Sequence, residues 1–183
     1  MLTVWILVAV IIVLLLWAVF TYNRLVTLRN RVENGWSQID VQLRRRYDLI
    51  PNLIETVKGY AAHEREIFEH VTEARTRAMG ATGVEDQANA ENAVTAGLGR
   101  LIAVAEAYPD LKANQNFLAL QEELIGTESK IAYARQFYND QVMALNTKIQ
   151  SFPSSVVANL FHVEPRAFFD IEDPVRGPVK VDL

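Results

Sequence analysis

The feature that most constrains this chain is its N-terminus, where residues 1–20 carry no charged side chain and only one polar side chain, Thr3. A helix of about twenty residues is about 30 Å long, which matches the hydrocarbon core of a bilayer. A single helix can cross because its backbone groups are hydrogen-bonded internally. Trp5 and Trp17 lie toward the two ends, where amphipathic rings favour the membrane interface. We therefore predict a transmembrane anchor over residues 1–21, with residues 1–20 (the apolar segment) in contact with lipid.

A cleaved signal peptide is the competing interpretation of the apolar segment. Such peptides begin with a basic region, have a shorter apolar run and end in an Ala-x-Ala-like site. This sequence has none of these features, and an amphipathic pattern starts directly after Phe20. These observations favour a retained single-pass anchor.

The charges beside the anchor predict its orientation. Arg24, Arg29 and Arg31 follow the apolar segment, and the first acidic residue is Glu33. Basic residues close to a span prefer the cytoplasmic side. We therefore expect an N-terminus outside the cell membrane and a soluble part in the cytoplasm.

Composition excludes several classes of function. The chain has no cysteine, which excludes disulfides and thiolate metal sites. Its formal net charge is −4, whereas nucleic-acid-binding proteins usually carry a basic surplus. The run from Arg44 to Arg46 is short and is interpreted as a solvated helix face. No nucleic-acid partner is expected.

Beyond the anchor, apolar residues recur at alternating steps of three and four, which predicts an amphipathic helix over residues 22–47. Its buried stripe comprises Leu25, Leu28, Val32, Trp36, Ile39, Leu43 and Tyr47. Pro51 then leaves two alternatives. Asp48 could cap a new helix with Pro51 in its first turn, or the helix could continue with a kink, because Ile50 and Ile54 keep the helical phase. The new helix is favoured because it yields segments of similar length.

Three further helices are predicted, over residues 49–79, 85–107 and 111–151. Gly80 is suited to end the first, and Asp110 to cap the last. The seam of the last helix repeats in heptads, and comprises Phe117, Leu120, Leu124, Thr127, Ile131, Ala134, Tyr138, Val142, Leu145 and Ile149. Glu128 and Arg135 flank its polar middle, and they could either form a buried polar layer or reach solvent.

The expected fold is therefore all-α. An N-terminal transmembrane helix leads into an up-down four-helix bundle over residues 22–152, followed by a tail over residues 153–183. A short helix near Ser154 to Phe161 and an extended remainder are expected in the tail. Phe168 and Phe169 predict that this tail packs on the bundle or on a partner.

The sequence has little that resembles a catalytic site. It contains no Gly-x-Ser-x-Gly elbow and no Walker loop. His63, Glu66 and His70, at spacings of three and four, would share one face of a continuous helix. They are the best metal-site candidate, but zinc would need further ligands. No enzyme activity, cofactor or metal is expected.

Two long segments resemble the LemA family. One runs from Tyr22 to Glu64, YNRLVTLRNRVENGWSQIDVQLRRRYDLIPNLIETVKGYAAHE, and one from Tyr108 to Asp140, YPDLKANQNFLALQEELIGTESKIAYARQFYND. The tail from Ser151 onward is similar too. The chain departs from the family pattern at Gly35, where the family usually has alanine. Residues within these blocks are expected to set packing and register: Trp36, Gln42, Asn52, Asn116 and Arg135.

The resemblance implies a four-helix bundle on a single-span anchor in a bacterial inner membrane, with no established activity or cofactor to carry over. A relative in magnetosome membranes suggests a part in membrane organisation. Genes for family members often lie near a gene for a membrane metalloprotease, which suggests a part in envelope quality control. The leading hypothesis is a non-enzymatic scaffold or adaptor that forms a homo-oligomer. The alternative is a regulatory partner of a membrane metalloprotease, and the third is a metal-dependent enzyme using His63, Glu66 and His70.

Overall fold

The computed structural model describes residues 1–170, so residues 171–183 of the predicted tail lie outside the described residues. Over the described residues all regular structure is helical, and the all-α prediction is confirmed. The helices are α1 (Leu2–Lys58), α2 (Arg65–Gly80), α3 (Val84–Ala107), α4 (Pro109–Lys112), α5 (Gln115–Gln150) and α6 (Ser154–Leu160). The up-down arrangement of a four-helix bundle remains a prediction.

Helix α1 joins the apolar segment to the amphipathic stretch without a break. It has 57 residues, which corresponds to about 85 Å at the usual rise per residue. Among the described residues, it is the one helix long and apolar enough to cross a membrane. The large apolar side chains between Leu2 and Leu16 are exposed, as the predicted transmembrane anchor requires.

The predicted helix break near Pro51 is wrong, because α1 continues through this residue to Lys58. Proline cannot donate to the carbonyl four residues earlier, which here belongs to Tyr47. The Nε–H of Arg75 donates to that carbonyl oxygen at 2.8 Å instead. The freed acceptor is thus satisfied by another helix, and the ring of Pro51 lies on the exposed side of α1.

Other helix boundaries also differ from those predicted. The stretch predicted as helix 49–79 is divided by a turn over residues 59–64, so only its second part is α2. The predicted helix 111–151 begins instead at Gln115. Asn114, rather than Asp110, caps it, because the Oδ1 of Asn114 accepts from the backbone N–H groups of Asn116 and Phe117 at 2.9 and 3.1 Å.

The chain divides into two compact units. Over the described residues, unit 1 comprises Met1–Ile39 and Ala134–Ala167, and unit 2 comprises Asp40–Tyr133 and residues 168–170. Helices α1 and α5 therefore each contribute residues to both units. The predicted seams are largely buried in each unit, as heptad patterning requires.

In unit 1, α1 packs against α5 in antiparallel fashion. The Cα of Tyr138 would lie only 3.1 Å from a Cβ added to Gly35, so glycine permits a close approach of the two helices. The ring of Trp36 packs on Tyr138 at 5.6 Å between centroids. Nearer the apolar segment, Leu25 and Leu145 line one cavity. The residues after α6 are tied back to α5, since Asn146 exchanges two hydrogen bonds of 2.9 Å with the backbone of Arg166.

In unit 2, α2 packs against α3. A Cβ added to Gly97 would lie 3.2 Å from the Cγ2 of Val71, which places the two helices in close contact. The apolar core of this unit draws on helices α1 to α5, and includes Ile50, Val57, Phe68, Val71, Val94, Leu101, Leu111, Leu124 and Ile131. Phe169, from the predicted tail, is also fully buried, whereas Phe168 is 49% exposed.

Candidate functional site

The most unusual chemistry in unit 2 is a pair of charged side chains in its interior. Arg46 is 1% exposed and Glu91 is 0% exposed. Charged groups are rarely buried unless they are paired, because removing a charge from water is costly. The two side chains satisfy this requirement with each other, as the guanidinium of Arg46 forms an ion pair with the carboxylate of Glu91.

Neighbouring polar groups extend this pair into a network, called here the polar cluster: Arg46, Tyr47, Gln87, Glu91 and Glu128. The second amino group of Arg46 donates to the Oε1 of Glu128 at 2.7 Å. The hydroxyl of Tyr47 donates to the Oε1 of Glu91. The Nε2 of Gln87 donates to the Tyr47 hydroxyl at 2.9 Å and to the Oε1 of Glu91 at 2.7 Å. The cluster therefore links α1, α3 and α5 within unit 2.

Burial also affects the titration of Tyr47 in the polar cluster. Removal from water raises the pKa of the Tyr47 phenol above its usual value of 10.0, because the phenolate is disfavoured there, and the Arg46 charge opposes this effect. Tyr47 therefore stays protonated at neutral pH and remains a donor to Glu91. The groups bind one another, which suits a device that sets helix register rather than a site that receives substrate.

The interpretation of the arginine run as a solvated face is wrong for one of its three members. The side chains of Arg44 and Arg45 are 74% and 47% exposed, but Arg46 is buried. A signal for this lay in the sequence, because Ile39, Leu43, Arg46 and Ile50 follow steps of four, three and four. Glu91 carried no comparable signal in its alanine-rich helix.

The alternatives for the middle of the α5 seam are resolved residue by residue. Thr127 is 1% exposed, and its hydroxyl donates to the carbonyl oxygen of Glu123 at 2.8 Å. The Glu128 side chain is 41% exposed and reaches inward to Arg46. Arg135 is half-buried in unit 1. A polar layer does exist around Glu128, and its buried charges come from Arg46 on α1 and Glu91 on α3.

The remaining predicted packing residues occupy varied environments. Trp36 and Gln42 are half-buried, in units 1 and 2 respectively. Asn52 is exposed, and its carbonyl accepts from the hydroxyl of Thr56 at 2.8 Å. Asn116 is exposed in the first turn of α5. These residues therefore occupy different environments within their units, and the role in packing and register expected of them stays a prediction.

The structure does not bring the predicted metal ligands onto one helix face. His63 lies in the turn before α2, while Glu66 and His70 lie within α2. The helical spacing assumed for the three therefore does not hold. The Nε2 of His63 is 2.7 Å from the hydroxyl of Tyr108 instead. Over residues 1–170, no three carboxylate or imidazole groups are placed to hold a metal ion.

An exposed apolar surface lies on α5 within unit 2. Leu118, Ile125 and Tyr133 (the α5 stripe) are 47%, 60% and 75% exposed. Steps of seven and eight residues place them within about 80° of the helix circumference. They follow one or two positions after the buried residues Phe117, Leu124 and Ile131, so α5 exposes three apolar side chains beside its seam, with the exposed polar residues Glu122 and Ser129 between them. Such a face is typical of an interaction surface.

Comparison with known proteins identifies what the chain is similar to. Residues 35–183 match the LemA family. Magnetosome protein MamQ 2 of Paramagnetospirillum magneticum is 26% identical, over 86% of this chain and 68% of that protein. MamQ of Magnetospirillum gryphiswaldense is 25% identical over 79% of this chain and 65% of that protein. Protein LemA of Metamycoplasma hominis is 26% identical, over 86% of this chain and 72% of that protein. The resemblance drawn from the sequence is confirmed.

Proposed function

We propose that this chain, which belongs to the LemA family, is a non-enzymatic, membrane-anchored scaffold. It self-associates through α5. Neither the family name nor the names of the relatives is that of an enzyme. The MamQ relatives are named as magnetosome proteins, which supports a role in organising a membrane. The observation that carries self-association is the α5 stripe.

The anchor is supported by the length and surface of α1. Its apolar segment has the length of a bilayer span and continues into unit 1 as one helix. A continuous helix transmits position and orientation from the membrane to the helices packed on it. A scaffold requires this property, because its partners must meet it at a defined height above the lipid.

Self-association is supported by the composition and spacing of the α5 stripe. Two copies of one helix face can pair about a two-fold axis, since each copy then presents the same surface to the other. Burying Leu118, Ile125 and Tyr133 against their counterparts would remove apolar area from water in both copies. The same stripe could instead receive a different protein, such as the membrane metalloprotease of the alternative hypothesis.

The test is the particle mass of the full chain in mild detergent. The wild-type protein should form a discrete assembly larger than the 20.7 kDa protomer. Ile125→Asp should reduce the protein mass to that of one protomer without unfolding it. Lys130→Asp is the matched control, because Lys130 is exposed on α5 but lies off the stripe, and this variant should keep the wild-type mass.

Each result has a defined meaning. A monomeric wild-type protein contradicts self-association and leaves the adaptor version, in which the stripe binds another protein. An Ile125→Asp variant that keeps the full assembly mass shows that α5 is not the interface. Disulfide formation between two Ile125→Cys protomers provides a second test of pairing through the α5 stripe. The described chain has no cysteine of its own to interfere.

The proposed orientation places the described chain beyond the apolar segment in the cytoplasm of a bacterial cell. It rests on Arg24, Arg29 and Arg31, which follow the apolar segment. A membrane-impermeant maleimide should label Lys130→Cys in disrupted cells and leave it unlabelled in intact spheroplasts. Equal labelling in both preparations would show that Lys130→Cys lies outside the cell membrane, which contradicts the proposed orientation.

A further inference from the structure

We propose that the corner between α5 and α6 inserts into the lipid interface as a second membrane contact beside the anchor. The exposed apolar side chains of this corner, called here the α6 corner, are Phe152, Val156, Leu160 and Phe161. The inference rests on the proposed anchor, because it takes the apolar segment as the marker of membrane depth. All the residues that carry it belong to unit 1.

The first argument is the position along α1 at which the side chains of unit 1 begin to be buried. This position is called here a level, measured along the helix axis from the apolar segment. Trp17 and Ala18 are already half-buried, and Thr21 is 3% exposed, although the preceding side chains of the apolar segment are exposed. Packing against α1 therefore starts before the apolar segment ends at Phe20. Any element of unit 1 at this level meets the interface when the apolar segment crosses the bilayer.

The second argument identifies the α6 corner as the element at this level. The ring of Phe161 stacks on that of Tyr22, with 4.5 Å between centroids. Tyr22 lies two residues beyond Phe20, which is about 3 Å along the helix axis. The antiparallel pairing agrees, because Leu145 faces Leu25 while Tyr138 faces Gly35, farther from the apolar segment. Helix α5 therefore descends toward the membrane and turns there into α6.

The third argument is the surface that the α6 corner presents. Phe152, Val156 and Leu160 are 85%, 58% and 70% exposed, and Phe161 is 49% exposed. Val156 and Leu160 are four residues apart and share one side of α6. The opposite side is packed, since Ser154 and Ala158 are 2% and 0% exposed, and Val157 beside it is 3% exposed. The short helix thus directs large apolar side chains outward as well as inward, whereas a helix solvated by water exposes polar side chains on its outward side.

The charges of this region fit a lipid surface. Between Lys148 and Val163 the sequence contains no carboxylate. The basic group Lys148 lies in the last turn of α5, and Arg24 follows the apolar segment within a turn. Anionic headgroups therefore meet no repulsive charge on this stretch. The amphipathic ring of Tyr22 suits the headgroup level, and Phe161 suits the apolar face of an interfacial helix. The occupant that these features favour is the bilayer rather than a second protein.

The test measures depth at three single cysteines in the full chain, which has none of its own. Leu160→Cys reports the α6 corner, Leu16→Cys reports the anchor, and Gln136→Cys reports an exposed position on α5 about 21 Å from its C-terminal end. Each variant is labelled with an environment-sensitive fluorophore and reconstituted in vesicles of equal parts phosphatidylcholine and phosphatidylglycerol. Quenching by lipids with a nitroxide on the acyl chain is compared with quenching by aqueous iodide.

The label at Leu160→Cys should lose about half of its fluorescence to the nitroxide lipid and be shielded from iodide, as for an interfacial helix. The label at Gln136→Cys should be quenched by iodide and should keep its fluorescence in the presence of the nitroxide lipid. If Leu160→Cys behaves as Gln136→Cys while Leu16→Cys is quenched by lipid, the anchor stands and the inference is overturned. Shielding from iodide without lipid quenching also overturns it, because a protein then covers the corner. Absence of lipid quenching at Leu16→Cys instead contradicts the anchor itself.

Discussion

Units 1 and 2 contain segments of the same two long helices, yet their interiors are built differently. In unit 2, α1 contributes the buried charge of Arg46, which is held by Glu91 and Glu128. In unit 1, α1 contributes Leu25 and Gly35, and the helices approach until their backbones nearly touch. One interior is specified by directional hydrogen bonds and the other by steric fit. The register of a single helix can therefore be set by two mechanisms along its length.

The largest expected effect comes from breaking the polar cluster. Arg46→Met removes one partner of a buried pair and leaves the carboxylate of Glu91 uncompensated, which should destabilise the protein by about 3–5 kcal/mol. The measurement is urea unfolding of the full chain in detergent, followed by circular dichroism.

Two controls make this prediction specific. Arg45→Met removes the neighbouring arginine, whose exposed side chain pairs with Glu123 at 2.8 Å, and should cost less than about 1 kcal/mol. The double variant Arg46→Met/Glu91→Leu should recover much of the lost stability, because no charge is then left buried alone. Equal effects of Arg45→Met and Arg46→Met would contradict a structural role for the buried pair.

A smaller effect is expected where Pro51 passes through α1. Arg75→Ala leaves the Tyr47 carbonyl without its donor, at an expected cost of about 2 kcal/mol for a charge-assisted hydrogen bond. In a Pro51→Ala background the new backbone N–H can donate to the same carbonyl, so Arg75→Ala should cost clearly less there. A double-mutant cycle measures this coupling. Additive effects would show that Arg75 does not compensate for the proline.

The close approach in unit 1 predicts an effect near 1 kcal/mol. Glycine to alanine in a helix interior usually stabilises by about 1 kcal/mol, and Gly99→Ala should do so because an added Cβ meets nothing within 4 Å. Gly35→Ala should lose this gain, since its Cβ would lie 3.1 Å from the Cα of Tyr138. Thermal unfolding of the two variants compares them directly, and equal gains would show that α5 moves aside freely.

The smallest effect concerns alkaline pH and involves one tyrosine in each unit. Burial raises the pKa of both Tyr47 and Tyr138 above the unfolded value of 10.0. Because the folded state then holds more protons, the stabilisation is present below about pH 10 and is lost as pH rises through the folded pKa values. Urea unfolding of wild type, Tyr47→Phe and Tyr138→Phe between pH 8 and about 11 should show a shallower loss in each variant. An unchanged slope in both would contradict the assignment.

The outcome of the sequence analysis differs between these regions for a physical reason. The seam of α5 and the short helix α6 were predictable, because amphipathic periodicity is a local property of the chain. The helical spacing of Arg46 relative to the buried residues of α1 could have been recognised in the sequence. Its partner, Glu91, could not. Charged residues on a helix are usually solvated, and Glu91 lies far along the chain on another helix. The helical spacing assumed for the metal-site candidate was wrong, because His63 lies before α2 whereas His70 lies within it.

Taken alone, the sequence determined the all-α class, the apolar segment and the family, since each depends on residue types and spacings that act along the chain. Only the tertiary structure decided that α1 passes through Pro51, that Arg46 is buried while Arg45 is not, and that the α6 corner lies beside the end of the apolar segment. These outcomes depend on groups distant in sequence, namely Arg75, Glu91 and Tyr22. In each case the outcome depends on a group that the fold brings within contact distance. Such a group supplies the hydrogen bond lost at the proline, pairs with the buried charge, or fixes the position of the short helix along α1.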